Sequence, residues 1–112
     1  MPDVIDILGT PTPPKKHEIG DVLPELYAVL ESRRAEMPEH SYTAKLLLGH
    51  EDKLLKKIGE EATEVVMAAK DGSHDQLRYE IADLMYHLMV VMVRYDLTLD
   101  ELAEELASRR RK

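Results

Sequence analysis

Glu51-Asp52-Lys53-Leu54-Leu55-Lys56-Lys57-Ile58-Gly59-Glu60-Glu61-Ala62-Thr63-Glu64-Val65-Val66-Met67-Ala68-Ala69-Lys70-Asp71 is the stretch on which the reading of the fold turns. Leu54, Leu55, Ile58, Ala62, Val65, Val66 and Ala69 fall in one sector at about 100° per residue, as in an amphipathic helix. Gly72 stands where a left-handed residue ends such a helix. Ser73 and Gln76 then match a capping box that opens another helix, running to about Tyr95.

That next helix begins amphipathic, with Leu77, Ile81 and Leu84. From Leu84 to Val93, only His87 is strongly polar. A helix apolar all round needs partners on every side, and in a chain of 112 residues a second subunit is the expected source of that cover. The Met85, Met89 and Met92 series belongs to this packing and is expected at the interface.

Working outward, Ser41-Tyr42-Thr43-Ala44-Lys45-Leu46-Leu47-Leu48 reads as a short helix stopped by Gly49. Before it, Val22, Leu26, Val29, Leu30, Arg33 and Met37 mark a first helix, with Asp21 as N-cap and Pro38 as its end. Beyond Tyr95, Thr98 and Glu101 repeat the capping box and open a fifth helix. It ends in Arg109-Arg110-Arg111-Lys112, where cations complement the helix dipole. No alternating strand pattern is present. The expected fold is all-α, a bundle of about five helices completed by homodimerisation. Residues 1–20 carry four of the six prolines and read as an extended lead-in, and residues 21–112 as the folded domain.

Composition narrows the function. The net charge of −7 argues against general nucleic-acid affinity, which needs a basic footprint. Without cysteine there are no disulfides and no thiolate metal sites. The longest nearly apolar run is about half of what a bilayer requires, and the first residues lack a basic signal-peptide region. A cytoplasmic protein, with no membrane partner, is expected.

Five carboxylates then stand out: Glu60, Glu61 and Glu64 on one long helix, and Glu80 and Asp83 on the next. Such a set can hold hard divalent cations such as Mg²⁺ through oxygen, and a metal so held can neutralise a polyphosphate. On a helical wheel Glu61 falls at the margin of the apolar sector, Glu64 about 60° further round and Glu60 about 40° beyond that, and Glu80, Asp83 and His87 form a strip beside Leu77, Ile81 and Leu84. Packing through the apolar stripes would bring both strips to the rim of one cleft. Asp83 directly precedes the apolar run, where an unpaired carboxylate is expensive; a cation would compensate it, and so would Arg78 or Arg94. The bland reading is a solvated acidic face paired with Lys53, Lys56 and Lys57. His87 reads as a satisfied core histidine. The isolated glycines exclude a phosphate-cradling loop, and the scattered histidines argue against zinc.

Ser41-Tyr42-Thr43-Ala44-Lys45-Leu46-Leu47, Lys56-Lys57-Ile58-Gly59-Glu60-Glu61-Ala62-Thr63-Glu64 and Glu80-Ile81-Ala82-Asp83-Leu84-Met85-Tyr86-His87-Leu88-Met89-Val90 together resemble the phosphoribosyl-ATP pyrophosphatase family. That family lies within the MazG-like, all-α nucleotide pyrophosphohydrolase superfamily, and the resemblance covers about Leu23 to Arg110. It implies hydrolysis of phosphoribosyl-ATP to phosphoribosyl-AMP and pyrophosphate, the second step of histidine biosynthesis, in a homodimer or higher assembly. It further implies Mg²⁺ on Glu61, Glu64, Glu80 and Asp83, with Glu60 as a further ligand or the group that orients water. Glu60, Glu61 and Glu64 are thus the expected catalytic carboxylates. Ser41, Thr43, Lys45, Lys53 and Lys57 are the expected substrate-binding residues. A cyclohydrolase, fused in some members, is expected to be a separate protein. Two alternatives stay open: a house-cleaning (d)NTP pyrophosphatase of the same superfamily, and a non-enzymatic helical dimer with a solvated acidic face.

Overall fold

A computed structural model of the chain describes residues 16–36 and 41–110. The order is α1 (Ile19–Glu36), α2 (Tyr42–Leu48), α3 (Glu51–Asp71), α4 (His74–Arg94) and α5 (Leu99–Arg109), with no strand among the described residues. The all-α expectation holds. Most of the Pro-rich lead-in and Pro38 lie outside the described residues. The first helix starts earlier than its expected Asp21 cap, because the Glu18 carbonyl already accepts from Asp21 N and Val22 N.

Local chemistry sets the other ends. Ser41 Oγ accepts from Ala44 N at 3.1 Å and opens α2. Gly49 closes it, and a Cβ there would sit 2.6 Å from the Lys45 carbonyl oxygen. Gly72 adopts φ 76° and ends α3 in the left-handed region that glycine enters without strain. At α5 the Thr98–Glu101 capping box is complete. At α4 only half of the expected box forms. Ser73 Oγ accepts from Gln76 N, but the Gln76 side chain donates to Glu80 Oε1 at 3.3 Å instead of reaching back.

The two-residue turn at Gly72–Ser73 folds α3 and α4 into an antiparallel hairpin, the most extensive helix pairing in the molecule. The core lies toward the C-terminal half of α4, where Met89, Val90, Met92 and Val93 meet Leu30 of α1, Leu46 and Leu47 of α2 and Leu54 of α3. Leu99 and Leu102 of α5 lean on the same cluster. Two arginines tie this end together: Arg94 donates to the Leu46 carbonyl at 2.8 Å, and Arg34 donates to the Val93 carbonyl and pairs with Asp96.

This arrangement corrects the reading of the apolar run. Met89 and Met92 are buried within the chain, under α1 and α2, so most of Leu84–Val93 needs no second subunit. Met85 and Leu88 do stay exposed, as do Ile81 of α4 and Leu55 and Val66 of α3. The helix pairing is corrected as well. Buried positions on α3 are Leu54, Glu61 and Ala68, and on α4 they include Glu80 and His87, seven residues apart in each case. Glu61 and Glu80 therefore lie in the seam between α3 and α4, while Asp83 is half-buried and Glu60 and Glu64 stay exposed along it. Leu55 and Ala62 follow the α3 contact line by about 100° and Val66 by about 140°, and Ile81 and Leu88 follow that of α4 by about 100°. In antiparallel helices equal rotations reach the same side of the pair, so these side chains form one exposed apolar face.

Candidate metal centre

Glu61 and Glu80 are buried in the seam, each about 5% exposed, whereas Asp83 is half-buried and Glu64 exposed. Glu61, Asp83 and His87 each bring a donor atom within 4.8 Å of the others. Burial pushes the Glu80 carboxyl above its ordinary range, and the negative charges of Glu64, Glu61 and Asp83 push it further. All four expected ligands thus share one local field. Glu60 is exposed and is not among the leading causes of that shift.

Among the described residues, one lysine compensates this charge. Lys57 Nζ lies 3.2 Å from Glu61 Oε1, one turn earlier on α3. Its hydrogen bond to Glu61 holds the ammonium above the ordinary lysine value, against the opposing effect of burial. Lys45 and Lys53 are exposed. The two arginines considered as partners of Asp83 are engaged elsewhere, Arg78 with Asp75 at 3.0 Å and Arg94 with Leu46.

His87 is 3% exposed and fully partnered. Its Nδ1 lies 2.8 Å from the Asp83 carbonyl oxygen, an acceptor, so Nδ1 carries the proton. Nε2 then accepts from Tyr42 OH at 3.0 Å. The Tyr42 phenol is raised by burial, opposed by the Lys57 charge, with Asp83 and Glu61 adding to the rise, so it remains a proton donor at neutral pH. With both ring nitrogens engaged, His87 ties Tyr42 to the α4 main chain at Asp83 and offers no free lone pair, matching its reading as a satisfied histidine. The donors left for a cation are carboxylate oxygens alone. That chemistry fits a hard divalent ion, and a cluster of like charges with a single lysine calls for one.

Thr43 is buried on α2, with its hydroxyl bonded to that of Tyr86. Through Tyr42–His87 and Thr43–Tyr86, α2 is fixed to α4 beside the seam. Sequence spacing gave no sign of either bond, since the partners are more than 40 residues apart. The one available signal was that Tyr42 and Thr43, like Tyr86 and His87, are adjacent, so each helix offers two neighbouring polar groups.

Residues 23–110 match the family model described as Phosphoribosyl-ATP pyrophosphohydrolase. A phosphoribosyl-ATP pyrophosphatase of Haloarcula marismortui is 46% identical over 95 residues, which span 83% of this chain and 97% of that protein. One of Pelotomaculum thermopropionicum is 49% identical over 92 residues, 82% of this chain and 94% of that protein. The histidine biosynthesis bifunctional protein HisIE of Bacillus subtilis is 47% identical over 88 residues, 79% of this chain and 42% of that protein. With an all-α fold, a carboxylate seam and these relatives, the chain belongs to the phosphoribosyl-ATP pyrophosphohydrolase family.

Proposed function

We propose that the chain hydrolyses phosphoribosyl-ATP to phosphoribosyl-AMP and pyrophosphate, the second step of L-histidine biosynthesis, as a cytoplasmic Mg²⁺-dependent enzyme. The observation that supports this reading is that Glu80, buried between α3 and α4, feels the charges of Glu64, Glu61 and Asp83, in a chain of this family. These four would hold Mg²⁺, which when bound neutralises the polyphosphate and polarises its phosphorus. The protein's own part is positioning. Glu60, exposed at the end of the strip, and the outer oxygens of Glu61 and Glu64 orient the water that attacks the α–β phosphoanhydride. Lys57, released from Glu61, turns to the polyphosphate with Lys53, and Lys45 stands near the phosphoribosyl end. Ser41 and Thr43 face the phosphoribosyl group. His87, bonded to Tyr42 and to the Asp83 carbonyl, holds α2 against α4 beside the seam.

The exposed face of Leu55, Ala62, Val66, Ile81, Met85 and Leu88 supports assembly into a homodimer or larger oligomer. No helix among the described residues is long and apolar enough to cross a membrane.

The test is turnover of phosphoribosyl-ATP, ATP, dATP and dCTP by purified protein with Mg²⁺. The expected result is strong preference for phosphoribosyl-ATP, with pyrophosphate released, because the pocket pairs a phosphate that the others lack. Comparable kcat/KM on dATP or dCTP would transfer the chain to the house-cleaning reading and leave the metal site standing. No metal binding at all would leave the solvated acidic face.

A further inference from the structure

A cavity of about 450 Å³ opens where α1, α2 and α4 meet, beside the carboxylate seam. Leu26, Val29 and Leu30 supply its apolar wall, and its polar groups are Arg33, Ser41, Thr43 and Tyr86. Each polar group brings a proton to offer. The Arg33 guanidinium only donates. Ser41 Oγ accepts from Ala44 N, which leaves its own hydroxyl proton available. Thr43 and Tyr86 are bonded to each other, so that pair spends one of its two hydroxyl protons and keeps the other. Among the described residues, no carboxylate lines the cavity. In a chain of net charge −7, a lining of this kind selects an anion with oxygen acceptors.

Arg33 also differs from its neighbours. Arg34 and Arg94 are committed to backbone carbonyls of the bundle, whereas Arg33 is exposed at the cavity and forms no ion pair among the described residues. The cavity and the seam share a wall. The Tyr86 ring stands edge-on to His87, with centroids 5.5 Å apart, and His87 in turn holds Asp83.

We infer that this cavity takes the sugar-phosphate end of the substrate, with Arg33 as the cation that pairs with its phosphate and so sets specificity. The inference rests on the substrate proposed above, which carries phosphate at both ends: the polyphosphate lies at the seam while the far phosphate reaches past Tyr86 to Arg33. Lys45, exposed on α2 and absent from the cavity wall, is the competing cation.

Arg33→Gln, Arg33→Lys and Lys45→Met decide between them. Arg33→Gln should lower kcat/KM on phosphoribosyl-ATP roughly 10- to 100-fold, mainly through KM, with Arg33→Lys recovering part of the loss. Mn²⁺ affinity, read by electron paramagnetic resonance without substrate, should not move. Ribose 5-phosphate should inhibit the wild type competitively and the Arg33→Gln variant far less. A kcat/KM for Arg33→Gln within about two-fold of wild type, or a larger loss with Lys45→Met than with Arg33→Gln, overturns the assignment. If the wild type does not turn over phosphoribosyl-ATP, the proposed function fails by itself. The cavity is then judged by nuclear magnetic resonance titration with ribose 5-phosphate: shifts at Arg33, Ser41 and Thr43 that vanish in Arg33→Gln support it, and their absence in the wild type ends it.

Discussion

Glu80 carries the clearest electrostatic signal among the seam carboxylates. Its folded-state pKa is raised, first by burial and then by Glu64, Glu61 and Asp83, so the folded protein binds this proton more tightly than the unfolded chain. The resulting stability is complete below the ordinary glutamate range and is lost as pH rises through the raised folded value. Calorimetry of the metal-free protein should show the melting temperature falling across that window. Glu80→Gln should remove the slope and be the more stable form at neutral pH, and parallel curves for the two proteins would refute the assignment. For activity, Glu61→Gln, Glu64→Gln, Glu80→Gln and Asp83→Asn should each cost roughly two orders of magnitude or more in turnover with the helical signal unchanged. Near-normal rates in any two of them at saturating Mg²⁺ would dissolve the proposed site.

At the level of elements, α2 is only seven residues long, yet it holds both polar links to α4. Its end depends on Gly49, because a side chain there would collide with the Lys45 carbonyl. Gly49→Ala should lower stability in urea by roughly 1–3 kcal/mol and should raise KM, since Tyr42 and Thr43 shift with the helix. A variant as stable as wild type would show that the turn adjusts freely. Caps of this kind were legible in the sequence: Gly49, Gly72, Ser73 and Thr98 act within a few residues, where the chain itself supplies both partners, whereas Ser41 was read as part of the helix it caps. The division of each long helix into strips was legible too, and Glu61 and Glu80, one from each strip, are buried between the two helices. Which strip meets the neighbouring helix was not legible. A wheel ranks Leu55 and Val66 as core, but the antiparallel register puts Leu54, Glu61 and Ala68 at the contact and leaves those two outside. The Gln76 side chain escaped for a different reason: two local partners compete for it, and Glu80, one turn along α4, wins over the Ser73 main chain.

For the molecule as a whole, exposure separates two classes of apolar residue on one helix. Met85 and Leu88 are 37% and 42% exposed, whereas Met89 is 4% exposed. Met85→Asp or Leu88→Asp should turn an oligomer into a folded monomer in sedimentation experiments. Met89→Asp should instead unfold the chain, by several kcal/mol of uncompensated buried charge. A wild type that is monomeric at micromolar concentration would sink the assembly proposal. The Lys57–Glu61 ion pair reaches further still. A metal-free chain with that pair already has a monovalent stand-in at its most crowded charge, so loading becomes an exchange of one cation for another. The displaced ammonium is then free for incoming phosphate, which makes ion and nucleotide cooperative ligands, each tightening the other by the same factor. Lys57→Met should therefore bind Mn²⁺ more tightly than wild type in the absence of nucleotide and show weaker coupling between the two, and unchanged coupling would mean that Lys57 never leaves Glu61.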